Sequence, residues 1–326
     1  PPPRRPPPPP RGRPRRRPRR RPPTPPPARP DRTEAPPLQA AGLPVCWVSS
    51  GLALLLAAVA AGLTVGPASI GVWDAIVEVV AMIPGVDVDS GLGEAHAAIV
   101  TEIRFPRVVL GAMVGGLLSI TGAAYQGAFR NPLADPYLLG VAAGAGLGAT
   151  LAIVNGLGDS EGFVDPVPFA AFAGALGAVA ISYIAGHLGG RSAVSLVLAG
   201  VAVASFLTAI QTYVLQANND VIREVYSWIL GRLATSGWGE VALLAPYFVL
   251  TLVVVLRYRH ALDVLSVGDE ETAALGLDPA RIRGVVVVAA SLGAAAAVSV
   301  SGLIGFVGII VPHAVRLMVG VSHRAV

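Results

Sequence analysis

The chain has 326 residues, of which 53% are hydrophobic and only 13% charged, about half the charged share of an ordinary soluble domain, with a formal net charge of +4. Every basic residue among the 24 counted as Lys or Arg is an arginine, so there is no phosphate-loop lysine to reach a nucleotide and no lysine for Schiff-base chemistry. The single cysteine, Cys46, excludes an intramolecular disulfide; proline and arginine precede it where a signal peptide would be apolar, so it reads as an ordinary apolar residue.

Residues 1–40 form a Pro/Arg-rich tail with too few apolar side chains to offset the entropy of folding. No aromatic residue alternates with its arginines to stack on bases, so nucleic-acid binding is not expected. The remainder, 41–326, reads as one all-α polytopic membrane domain. Eight apolar stretches are predicted as spans: 45–65, 106–129, 137–156, 167–186, 193–215, 241–256, 284–300 and 302–319. Trp47 marks an interfacial end of the first. An acidic, amphipathic segment over 66–101 carries Asp74, Glu78, Asp87, Asp89 and Glu94, with Glu102 just beyond, and Pro84-Gly85 breaks it.

Residues 104–148 organise the chain. Arg104 and Arg107 precede one glycine-studded run, and a polar turn at 130–136 separates it from the next. Gly111 with Gly115, and Gly140 with Gly144 and Gly148, are spaced to let helix backbones approach. Asn131, Pro132 and Pro136 read as structural punctuation of the turn rather than an ion site, since no carboxylate cluster lies near them in sequence. Gln126, Thr208 and Gln211 are polar side chains within spans; pathway lining and interhelical hydrogen bonding both fit them.

Further on, the 221–233 segment has the apolar spacing of a short helix lying at a membrane surface. The polar stretch 260–283 carries its own punctuation. Ser266 with Asp269 resembles a capping box for a short helix over 269–275, and Gly276 fits the left-handed position that closes it. Asp278-Pro279 then opens another short helix. Arginine bias between loops places the amino terminus inside. His313 has no second ligand at metal spacing and reads as structural; neither a metal site nor a cofactor is expected.

These motifs together resemble the FecCD-type permeases of binding-protein-dependent ABC importers, which take up iron-siderophores, haem and cobalamin. The carriers are RFPR at 104–107, YQGAFRNPLADPYLLG at 125–140, VLAGVA at 197–202, SWILGRL at 227–233, VGDEETAALGL at 267–277 and SGLIGFVGIIVPHAVRL at 301–317. The resemblance implies a type II, vitamin B12 importer-like fold in a bacterial cytoplasmic membrane, with a metal chelate, most of all an iron(III)-siderophore, as cargo and haem or cobalamin as alternatives. It implies three kinds of partner: a second permease subunit, two ATP-binding subunits and an extracytoplasmic substrate-binding protein. Arg104 and Arg107 would meet carboxylates of that binding protein, with internal pairing to Glu102 or Glu94 as the competing arrangement. Asp269, Glu270, Glu271, Ala274, Leu275 and Gly276 would contact the ATPase as a coupling helix, and a gate is expected around 191–194. The family has ten spans and eight are predicted here, which suggests a truncated chain. An ion-coupled secondary transporter is the rival from another class; it would need carboxylates within spans, and the eight stretches contain none.

Overall fold

A computed structural model describes residues 45–157, 165–190, 193–231, 233 and 237–320. The Pro/Arg tail, the acidic pair Asp159 and Glu161, and Arg191, Arg232 and Arg324 lie outside the described residues. Twelve α-helices make up most of what is described: α1 Val45–Thr64, α2 Val72–Ala81, α3 Glu94–Ala98, α4 Phe105–Phe129, α5 Val141–Val154, α6 Pro166–Leu188, α7 Ala193–Ala217, α8 Ile222–Ile229, α9 Trp238–Leu265, α10 Asp269–Ala274, α11 Pro279–Ser301 and α12 Val307–Val319. Six helical stretches are long and apolar enough to cross a membrane, α4 counting together with the turns that precede it over Glu94–Phe129. The chain is a multi-pass membrane protein.

Side-chain hydrogen bonds define two ends of the bundle. One carries the α4–α5 turn, α10 and the start of α11; the other carries the end of α1, α2, α3 and the starts of α4 and α9. At the second end Trp238 donates its indole N–H to the Thr101 carbonyl at 3.0 Å and packs edge-on against Phe105. At the centre, α4 and α11 supply much of the core through Leu117, Tyr125, Val286, Ala290, Ala294 and Ala297. Tyr125 and Ser291 share a buried hydrogen bond of 2.6 Å between them. Small residues dominate because the helices approach closely: a side chain on Gly144 would collide with the Gly174 backbone of α6, and one on Gly148 with Ala170. The Gly111 and Gly115 positions face open space instead, so among the described residues that predicted packing face meets no neighbour.

A six-residue π-helix, Ile99–Arg104, joins α3 to α4. Pro106 has no N–H with which to bond the Glu102 carbonyl, and the Phe105 N–H bonds Val100 instead, five residues back.

Two predicted spans are shorter than expected. In place of a helix from residue 137, a 3-10 turn Pro136–Leu139 precedes Gly140 at φ +83°, and α5 has only 14 residues, about 21 Å at helical rise. Residues 302–306 are not helical either. Gly302, at φ +75°, lies so close to the Trp228 carbonyl and Gly231 that no side chain fits, and Phe306 has φ +68° before the 13-residue α12. Conversely, α9 runs past Arg257 and Arg259 to Leu265, and Asp278-Pro279 opens the long α11 rather than a second short helix. Ser266 does not cap α10. Its hydroxyl donates back to the Asp263 carbonyl at 2.6 Å, and Gly268 occupies the N-cap.

Candidate functional site

At the end bearing the α4–α5 turn, α10 stands out as a helix of only six residues, too short to hold itself in water. Some of its anchors are internal. The Thr272 hydroxyl donates to the Gly268 carbonyl, and Gly276 at φ +78° closes the helix while the Leu277 N–H returns to the Thr272 carbonyl at 3.2 Å. Asp278 then accepts from the N–H groups of Ala280 and Arg281 at 2.9 and 3.1 Å and starts α11, as its position before Pro279 predicts.

Glu270, Glu271, Ala274, Leu275 and Gly276 are all exposed, and Leu275 reaches 68% exposure with Val267 at 71%. The carboxylate of Glu271 folds over Gly268, where any side chain would strike it. Asp269 differs from its neighbours. Its side chain, still 46% exposed, turns toward α11, where Arg283 donates Nη2 to both of its oxygens at 3.0 and 3.3 Å, and Arg130 lies 3.5 Å away. The Arg283 Nε also donates to the Ala128 carbonyl in the last turn of α4 at 2.9 Å. Sequence reasoning grouped Asp269 with Glu270 and Glu271 as ATPase-coupling residues; in the structure Asp269 is paired with Arg283. Neither its fourteen-residue spacing from Arg283 nor the backbone partner Ala128 is a local signal.

The α4–α5 turn is built as punctuation. Arg130 adopts the left-handed conformation at φ +52°, Asn131 accepts from the Leu133 N–H at 2.9 Å, and Pro136 opens the 3-10 turn. Asp135 caps that turn by accepting the Tyr137 N–H at 2.7 Å, and it is 7% exposed. Burial pushes its carboxyl up from the ordinary aspartate range. The Tyr137 hydroxyl donates to the Ile304 carbonyl at 2.9 Å, so the turn is fastened to the non-helical segment before α12.

Of the three polar residues singled out within spans, Gln126, Thr208 and Gln211, two are engaged between helices. Gln126 donates to the Gly308 carbonyl at 3.1 Å and accepts from Arg316 of α12, while Gln211 donates to the Thr150 hydroxyl at 3.0 Å. Thr208 is exposed on α7, and its carbonyl accepts the Thr212 hydroxyl at 2.9 Å. Arg316, which the sequence reading did not single out, thus bridges α12 to Gln126 and approaches the Ala123 carbonyl at 3.5 Å.

At the opposite end Arg104 is engaged within the chain. The side chain is 5% exposed and points inward, donating to the carbonyls of Leu63, at 2.7 Å, Thr64, at 3.0 Å, and Ala68. It therefore closes the C-terminal end of α1, where the last carbonyls have no partner within the helix and a cation is favoured by the helix dipole. Pairing with Glu102 or Glu94 is not what holds it. Arg107, nearly one turn on, is half-buried.

Comparison with known proteins places the chain among relatives. The sequence profile of the FecCD transport family matches residues 54–326. A cobalamin import system permease protein BtuC from Halobacterium salinarum is 44% identical over 235 residues, covering 72% of this chain and 63% of the relative. An Fe(3+)-citrate import system permease protein YfmD from Bacillus subtilis is 34% identical, covering 72% and 69%. Among solved structures, an inward-facing metal-chelate type ABC transporter superposes with a TM-score of 0.71 at 26% identity, covering 86% of this chain and 84% of that one. The matched region spans about two thirds of the length of these curated relatives, 63% in the halobacterial case. The profile match over residues 54–326 and the 44% relative place this chain in the FecCD transport family.

Proposed function

We propose that the chain is a transmembrane permease subunit of an ATP-driven importer and helps form the pathway for a metal chelate. The observation that carries this reading is α10, a short helix set between two spans that exposes Leu275 beside Glu270 and Glu271. An exposed leucine rimmed by carboxylates suits burial in a groove of another protein. The occupant of that role is an ATP-binding subunit, one for each of two permease copies. ATP-driven closure of the ATPases would move α10 and bias the bundle between two openings.

In this reading α10 and the amino terminus lie in the cytoplasm, and the end bearing Arg107 faces an extracytoplasmic binding protein, with Arg107 in the docking role. The exposed face of α7, with Val194, Leu198, Val201 and Thr208, would meet the pathway and a second permease subunit. An iron(III)-siderophore is one cargo of the chemistry involved. The 44% identity to a cobalamin permease, against 34% to an Fe(3+)-citrate permease, favours cobalamin as the second reading.

Co-purification tests the ATPase contact. Leu275→Asp, with Glu270→Gln and Glu271→Gln, should release the ATP-binding chain from the purified complex. An ATPase that stays bound at unchanged stoichiometry would remove α10 from the interface.

A further inference from the structure

We propose that Asp269 is a positioning residue that locks α10 to α4 and α11, so that motion of α10 is delivered to two spans instead of being absorbed at its junction with α9. This rests on the reading of α10 as the ATPase contact. The junction itself is soft: only residues 266–268 separate α9 from α10, and α10 is too short to be rigid on its own. Thr272 ties α10 back toward α9, reaching the Gly268 carbonyl and lying 3.4 Å from that of Val264. Nothing in that tie involves α4 or α11.

The link to those helices is made by charge. Arg283 sits in the second turn of α11 and is mostly buried, with 20% side-chain exposure. One edge of its guanidinium takes both oxygens of Asp269, and its Nε takes the Ala128 carbonyl of α4. Arg130, held in the left-handed conformation at the end of α4, brings a second cation to Oδ1 of Asp269 at 3.5 Å. A planar fork divided between a carboxylate and a backbone carbonyl fixes orientation as well as distance, which a lysine-like point charge would not. Isolated surface ion pairs contribute little, whereas this one joins three helices at a single carboxylate. Glu270 and Glu271, next in sequence, remain exposed for the partner. One turn of helix thus presents Glu270 and Glu271 to solvent and holds the half-exposed Asp269 against Arg283 of α11.

The test uses the complete importer, with its ATPase and binding protein, in proteoliposomes. Uptake, ATP hydrolysis and retained ATPase are measured for Asp269→Asn, Arg283→Gln and the double variant. Each single change should leave the ATPase bound and hydrolysis within about twofold, while uptake per ATP falls about fivefold. Because the two side chains act as one unit, the double variant should lose no more than either single one. Unchanged uptake per ATP overturns the proposal. So does a double variant whose losses multiply to about 25-fold, or a loss of uptake that only follows loss of bound ATPase. Failure of the underlying reading shows separately, as an ATPase that stays bound to Leu275→Asp, and would overturn the lock with it.

Discussion

Arg104 donates to the carbonyl of Leu63 across 2.7 Å, joining the start of α4 to the end of α1. The same guanidinium reaches Thr64 and Ala68, and Gly66 passes so near that a side chain there would strike Nη2. Replacing Arg104 with methionine leaves buried carbonyls without a donor and should destabilise the protein by about 2–4 kcal/mol. Gly66→Ala should cost stability at the same place. Thermal unfolding in detergent measures both; an unchanged midpoint for Arg104→Met would contradict the capping role.

Arg107 should behave differently. Arg107→Glu is expected to weaken binding-protein affinity about tenfold, with a stronger effect at low salt. Surface-plasmon titration of the complete importer with its binding protein reads this. Unaltered affinity would remove Arg107 from the docking surface.

Close helix approach gives a third expectation. A side chain on Gly122 would collide with the Gly308 carbonyl of α12, whereas Gly111 faces open space. Gly122→Ala should therefore cost about 1–3 kcal/mol through forced separation of α4 and α12. Gly111→Ala should stay within about 0.5 kcal/mol of the parent. Equal unfolding midpoints for the two variants would contradict the packing account.

Asp135 supplies a pH dependence. Its folded carboxyl is raised above the ordinary 3.8 by burial, so the native chain holds the proton after the unfolded chain has released it. The contribution to stability is thus greatest at low pH and declines as pH rises from about 4 through the folded value. Asp135→Asn keeps an oxygen for the Tyr137 N–H and removes the titration. Unfolding midpoints followed from about pH 4 to 7 should fall less steeply for that variant; parallel slopes would contradict the assignment.

What the sequence made legible was local. Gly276 and the helix start at Asp278-Pro279 follow from backbone and capping rules that operate within a few residues, and the structure has them where those rules put them. The family motifs likewise located α10 and the α4–α5 turn. The misses involve direction and distance. An arginine at a predicted span entrance gives no sign of whether it turns outward or toward the end of another helix, and Arg104 turns inward. Ser266 has capping chemistry three residues before Asp269, but α9 continues far enough for that hydroxyl to bond its own last turn. The shortening of α12 depends on Gly302 meeting Gly231 and Trp228, seventy residues away in the chain by about that order, a tertiary contact that apolar periodicity does not encode. Asp135 and Arg316 were passed over because a residue's burial depends on its neighbours in space.

The central claim is that this chain serves ATP-driven import. The most direct measurement is uptake of labelled cobalamin and labelled iron(III)-siderophore into proteoliposomes carrying the complete importer with its ATPase and binding protein. With ATP supplied on the α10 side, one chelate should accumulate, and collapsing proton and sodium gradients should leave the rate unchanged. Accumulation that persists without ATP and stops when an ion gradient is removed would contradict the account and favour a secondary transporter.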